Sequence, residues 1–302
     1  MGGFHAHHSH EHAHPGSGRV LFTALLLTGG FALLEAVGGW LAGSLALLGD
    51  AAHMVTDATA LGLAAFAAWL ASRPPSPRHS YGLLRAEVIA ALVNGLTMLA
   101  VVVGIVLAAI ERFRHPHDID GLTVIWIALA GLAVNILVAW LLSRGEQTLN
   151  TRAALLHVLG DLLGSVAALL SGLAVYYAGW FWVDPVVSLL ICGLIAVSTV
   201  RLLREALHVV MEGVPLHLSL EEVGSAMAAQ PGIHSVHDLH IWTLASGKLA
   251  LSAHLVVERL EQWPQILSQQ RELLAQRFGI DHITLQPELP AQATIQWRDN
   301  WP

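Results

Sequence analysis

The sequence holds 302 residues, 55% of them hydrophobic and only 12% charged, with a mean hydropathy of +0.60. That balance excludes an ordinary soluble domain and points to a bilayer. The net charge of -7 excludes the basic surface that nucleic-acid phosphates require, and the lone Cys192, set in an apolar run, excludes an intramolecular disulfide. Any metal is left to histidine and carboxylate.

In chain order, residues 1–18 come first, with His5, His7, His8, His10, His12 and His14 at uneven spacing. So polar a segment reads as a disordered tail and a labile collector of metal. Residues 19–206 read as a membrane domain of six helices, predicted near 20–41, 49–71, 86–110, 121–142, 153–177 and 183–203. Each run suffices for a hydrocarbon layer of roughly 30 Å, which takes about 20 helical residues. Breakers separate the runs: Gly43-Ser44, Arg73-Pro74-Pro75-Ser76-Pro77, Pro116, Gly145 and Gly179 through Pro185. Trp40, Trp69, Trp126, Trp140, Trp180 and Trp182 fall near the predicted ends, where indoles prefer the interface.

Arg19, Arg73, Arg78, Arg85, Arg144, Arg152, Arg201 and Arg204 flank one side, and only Arg112 and Arg114 the other. The positive-inside rule then predicts an inner-membrane protein with both termini cytoplasmic. The first apolar run is full length and follows a His-rich start, so it is expected to be retained rather than cleaved as a signal.

The second helix contains His53-Met54-Val55-Thr56-Asp57 and the fifth His157-Val158-Leu159-Gly160-Asp161. A spacing of four is about one helical turn, so each pair shares a face. Two such faces brought together supply two imidazoles and two carboxylates, a tetrahedral shell suited to zinc. A single pair could equally be a structural hydrogen bond between helices. The duplication, with no Lys or Arg in either helix core, leaves buried carboxylates that a bound cation or protons must compensate. Glu35, Asn94, Asn135 and Asp184 are weaker intramembrane signals. Asp50 could orient His53 or simply lie at the interface.

Residues 207–290 change to soluble patterns: a helix near 219–229, strands near 233–243 and 248–257, a helix near 264–278 and a strand near 282–286. This predicts a small α+β module followed by a tail, 291–302. His234, His237, His240, His254, Asp281, His282 and Glu288 are metal-ligand types within it.

Taken with Ser44-Leu45-Ala46-Leu47 ahead of Asp50-Ala51-Ala52-His53, Tyr81-Gly82, Arg85-Ala86-Glu87 and His237-Asp238-Leu239-His240-Ile241-Trp242, the chain resembles the cation diffusion facilitators over nearly its whole length. The resemblance implies a homodimeric metal/proton antiporter with a metallochaperone-like, ferredoxin-like cytoplasmic domain. His53, Asp57, His157 and Asp161 match the family's transport site, and histidine at both first positions resembles members that prefer zinc to cadmium. His237, His254 and Glu288 match cytoplasmic zinc positions, with Asp281 or His282 near another such position, whereas Gln286 replaces a histidine found in some members. Leu83 stands where a second loop histidine would join His79, so no loop site is expected. Arg85 and Glu212 match an inter-protomer charge lock.

The function expected is export of zinc, with cadmium or cobalt as further cargo, in exchange for protons by alternating access. An enzyme is not expected, since four protein ligands close the metal shell and no His-Glu-x-x-His occurs. A non-transporting membrane metal sensor is the alternative.

Overall fold

The computed structural model describes residues 15–144, 149–245 and 247–290. The histidine cluster from His5 to His14, the breaker Gly145 and the tail 291–302 lie outside them. Six helices carry spans long and apolar enough for a bilayer: α1 (Pro15–Ala42), α2 (Leu45–Ala71), α3 (Ala86–Arg114), α4 (Gly121–Arg144), α5 (Leu149–Ala178) and α6 (Val183–Val210). After them come α7 (Leu220–Ala228), β1 (Ile233–Ala245), β2 (Lys248–Val257), α8 (Trp263–Phe278) and β3 (His282–Glu288). By internal packing the chain divides into two compact units, one comprising the chain up to Gly62 with Asn94–Val200, the other Leu63–Val93 with the chain from Arg201 onward.

In the first unit α5 packs along α4 and α4 along α1. Small residues permit the approach. A Cβ added to Gly172 would meet Val124 and Ile125 atoms at 2.9–3.1 Å, so the α4–α5 contact requires glycine there, as close helix crossings in bilayers commonly do. Leu33, Trp40, Trp126, Leu163, Leu194 and Val197 point outward from the helices, the arrangement expected of side chains whose solvent is lipid.

α2 starts four residues earlier than its sequence suggests, and α6 supplies the reason. Asp184, fully buried, accepts hydrogen bonds from Ser44 Oγ at 2.5 Å and from the backbone N–H of Leu45 at 2.7 Å. Ser44 Oγ in turn accepts from Leu47 N–H. The orphan donors that open a helix are thus satisfied from a distant helix and from Ser44. Arg112 of α3 stands 3.5 Å from Asp184 and also donates to the Gly43 carbonyl. The start of α2, the end of α3 and the start of α6 are tied at one carboxylate.

In the second unit, β1 pairs antiparallel with β2, and β2 parallel with β3, in the order β1-β2-β3. With α7 and α8 this is the αββαβ part of a ferredoxin-like βαββαβ pattern. Val223 and Met227 of α7, Leu251 and Leu255 of β2, and Ile266 and Leu274 of α8 form its core. Ser219 caps α7 by accepting from Glu222 N–H. Gly279 ends α8 at φ 66°, a left-handed turn that glycine adopts without strain.

Candidate metal centre

The four residues singled out on α2 and α5 converge. Asp57 Oδ2 lies 3.5 Å from His53 Nδ1 and 3.1 Å from His157 Nε2, and Asp161 Oδ2 lies 3.7 Å from the same His157 nitrogen. The two imidazole centroids are 5.8 Å apart, edge to face. Ligand atoms of His53, His157 and Asp161 all fall within 4.8 Å of one another. Zinc bonds to nitrogen and oxygen of about 2.0–2.1 Å give a tetrahedron whose edges measure about 3.3 Å. The measured separations straddle that edge.

Hydrogen bonding accounts for only part of the cluster, at the Asp57–His157 pair. His53 Nδ1 and Asp161 Oδ2 are buried and have no hydrogen-bond partner among the described residues. Buried polar atoms are rarely left so, and a cation would satisfy them together. Asp161 is 2% exposed and His157 46%, so the cluster is closed at Asp161 and open at His157.

The second cluster lies on the sheet. His237 of β1 stands opposite His254 of β2 in register, and His254 opposite Gln286 of β3. Glu288 Oε2 lies 3.0 Å from His237 Nε2, and Glu288 Oε1 lies 2.8 Å from His254 Nδ1. These three residues could hold a metal, and Gln286 donates to Glu288 where a histidine would offer a third imidazole.

The strand register sets His282 apart from this cluster. His282 pairs with Ala250, four positions from His254 along β2, a separation of about 13 Å at the usual strand rise. The His282 ring instead meets Tyr81, at 5.6 Å between centroids. Asp238 is the residue that sequence reasoning missed. Strict alternation would turn it away from His237, but β1 bulges between His237 and His240, and Asp238 takes φ 50°. Its carboxylate thereby lies 3.0 Å from His240 Nε2 and 3.6 Å from His254 Nε2. The His-Asp-x-His run carried the residue types; the bulge is what the alternation rule hides.

Arg85 and Glu212 meet at 2.6 Å within the single chain, both largely exposed. His79 belongs to neither cluster; its backbone forms a bridge with Ser76.

A six-span bundle with converging His and Asp donors, and an α+β module with a donor cluster of its own, define a multi-pass membrane protein equipped for metal ions. Residues 21–211 match the family described as cation efflux transmembrane domain, and residues 215–289 that described as cation efflux protein, cytoplasmic domain. The chain belongs to the cation efflux, or cation diffusion facilitator, family. It is 41% identical over 287 residues to the zinc transporter ZitB of Escherichia coli, covering 93% of this chain and 91% of that one. To a cadmium, cobalt and zinc/H(+)-K(+) antiporter of Bacillus velezensis it is 38% identical over 290 residues, covering 94% and 92%. To the metal cation efflux system protein CzcD of Cupriavidus metallidurans it is 40% identical over 283 residues, covering 93% and 90%.

Proposed function

We propose that the chain is a secondary transporter that exports zinc, with cadmium and cobalt as further cargo, in exchange for protons, by alternating access through His53, Asp57, His157 and Asp161. The observation that carries this reading is the convergence of unpartnered donor atoms from α2 and α5 at the spacing of a tetrahedral zinc shell. The names of the relatives, a zinc transporter and a cadmium, cobalt and zinc antiporter, support the cargo.

In the proposed cycle, zinc enters from the cytoplasm on the open His157 side and is taken by two neutral imidazoles and two carboxylates. Rocking of the helix pair then turns the site outward. Protons compete with zinc for the same imidazole nitrogens, so a fall in pH on the outer side favours release. The arginine asymmetry supports an inner membrane with both termini cytoplasmic.

The remaining parts belong to the same proposal. Residues 19–206 transport, and residues 207–290 dimerise the chain and sense metal at His237, His254 and Glu288, with Arg85 and Glu212 as a charge lock near the membrane surface. Zinc is cargo and regulatory ligand, and no catalytic cofactor is involved.

The test is zinc flux into proteoliposomes under an imposed pH gradient, comparing the native chain with Asp57→Ala and His157→Ala. Gradient-driven flux lost in both variants is the expected result. A native chain that binds zinc but carries none would turn the reading toward a membrane metal sensor.

A further inference from the structure

The first unit also gathers oxygen ligands that the transport site does not use. Glu35 of α1 is fully buried, and neither of its carboxylate oxygens has a hydrogen-bond partner among the described residues. Asp50 of α2 is 2% exposed, with Oδ2 equally unpartnered. A Cβ on Gly164 of α5 would lie 2.7 Å from Asp50 Oδ1, so this carboxylate rests against the α5 backbone three residues past Asp161. Asn135 of α4, fully buried, donates through Nδ2 to Ser165 Oγ at 3.1 Å and leaves its own Oδ1 unpartnered. Ser165 is one helical turn beyond Asp161, which puts Asn135 at the same level of α5. Three helices, α1, α2 and α4, therefore carry unsatisfied oxygens, two of them set against α5 next to Asp161.

The charged groups that act directly on Glu35 and Asp50 are acids, with His53 and His157 beyond them at Asp161. Glu35 has Asp50 and Asp161 as its charged neighbours, and Asp50 has Asp161. The basic residue of this unit that pairs with an acid near a helix end, Arg112, is committed to Asp184. Buried acids facing one another cannot all be ionised unless a positive charge lies among them. The transport cluster has imidazoles to attract zinc, whereas Glu35, Asp50 and Asn135 offer only carboxylate and amide oxygen. Oxygen-only donors suit hard cations and protons rather than borderline metals.

We propose that Glu35, Asp50 and Asn135 form a second seat for one positive charge on oxygen ligands, brought as a proton or as an alkali cation, and coupled to the transport site through Asp161. The seat rests on the transport reading given above. Zinc bound beside Asp161 repels a charge in the seat, and a charge in the seat repels zinc, so each weakens the other's binding by the same factor. The seat holds a counter-charge of its own, beside the protons that compete with zinc at the imidazoles. Glycine at 164 and the tight contact of Phe31 with Gly131, whose added Cβ would meet the ring at 2.8 Å, keep the seat narrow and its ligands fixed.

The test is calorimetric titration of the purified full-length chain with zinc. Running it in buffers of different ionisation enthalpy counts the protons released, and repeating it in sodium, potassium and N-methylglucamine chloride reads the alkali dependence. If the charge is a proton, Glu35→Gln and Asp50→Asn each release about one proton fewer per zinc than the native chain. If it is an alkali ion, zinc affinity in the native chain falls as sodium or potassium replaces N-methylglucamine, and the two variants lose that dependence. Asn135→Leu, which removes a ligand without changing charge, should shift whichever signal is present in the same direction by a smaller amount. Monodisperse Glu35→Gln and Asp50→Asn chains with the native proton count and the native salt response would overturn the seat. His157→Ala separates the two ideas: zinc binding at native strength in that variant would strike the transport site, and the seat with it.

Discussion

The two metal-ligand clusters use nearly the same side chains in opposite states of satisfaction. On the sheet, Glu288 already engages His237 and His254 at 3.0 and 2.8 Å, and Asp238 engages His240 at 3.0 Å, all at partly exposed positions. In the bundle, donors from α2 and α5 converge at 3.1–3.7 Å, and buried atoms of His53 and Asp161 are left without a hydrogen-bond partner among the described residues. The sheet cluster pairs its donors with one another, and a metal entering it would displace ion pairs that water also screens. The bundle cluster leaves buried donor atoms unsatisfied, which in the proposed cycle the cargo ion satisfies. A site of the first kind suits graded sensing; one of the second suits cargo that must be bound and exchanged for other charge.

The comparison breaks most visibly at Asp161, the buried donor of the tetrad. Asp161→Ala should abolish gradient-driven zinc flux, because the remaining three donors leave the shell open and Gly164 and Ser165 offer no carboxylate in its place. Flux at the native rate would show that the bundle cluster is a structural contact and leave the sheet as the metal site.

Next in size is the scaffold that sets where α2 begins. Asp184→Ala strands Arg112, Ser44 and the first N–H groups of α2 in a buried place, and removing one partner of a buried ion pair costs roughly 3–5 kcal/mol. A large fall in the thermal midpoint of the purified protein, with flux reduced in parallel, is expected. An unchanged midpoint would mean that α2 is held by packing alone, and that the tetrad needs no capping carboxylate from α6.

Smaller again is the effect at the sheet. His237→Ala combined with His254→Ala should weaken zinc binding at this cluster at least roughly tenfold, while flux through the bundle persists and loses its response to cytoplasmic zinc. If the double variant matched the native chain in flux, zinc response and dimer geometry alike, the sensing role would be withdrawn.

Much of this was legible in the sequence because it is local. A His-x-x-x-Asp spacing fixes two side chains on one helical face whatever the rest of the chain does, and alternation along 233–243 and 248–257 announces strands. The helix bounds drifted where a long-range partner decides them, as Asp184 does for Leu45 from 139 residues away. Which candidate ligands of the sheet gather in one place was hidden for a related reason. Asp281 and His282 look as eligible as Glu288 until the parallel β2–β3 register sets His254 beside Gln286. Asp238 needed a bulge to enter the cluster, and a bulge leaves no periodic trace. Asp50 shows the same limit within the bundle: its position reads as interfacial until the missing side chain of Gly164 lets its carboxylate reach α5.

The smallest effect expected is at the entrance to α4, where Asp120 acts as a local counterpart to Asp184. Its backbone carbonyl accepts from Val124 N–H, and its carboxylate accepts from Thr123 Oγ1 at 2.5 Å and from Thr123 N–H at 3.2 Å. The hydroxyl of Thr123 foremost, then its backbone N–H, hold the Asp120 carboxyl below the usual carboxylate range. A carboxyl depressed in the folded state adds stability above its unfolded value and loses it as pH falls through the folded one. Asp120→Ala should therefore cost about 0.5–1 kcal/mol at neutral pH, the low end for a helix cap because the site is exposed. The deficit should begin to shrink as pH drops below about 4, the ordinary unfolded value, and Thr123→Ala should remove most of that pH dependence while leaving the Asp120 carbonyl in place. A deficit that stayed constant into acid would assign the cap to the neutral hydrogen bond alone. The contrast with Asp184 would then rest on burial: the same residue type at a helix start is worth a fraction of a kilocalorie in water and decides the fold where water is absent.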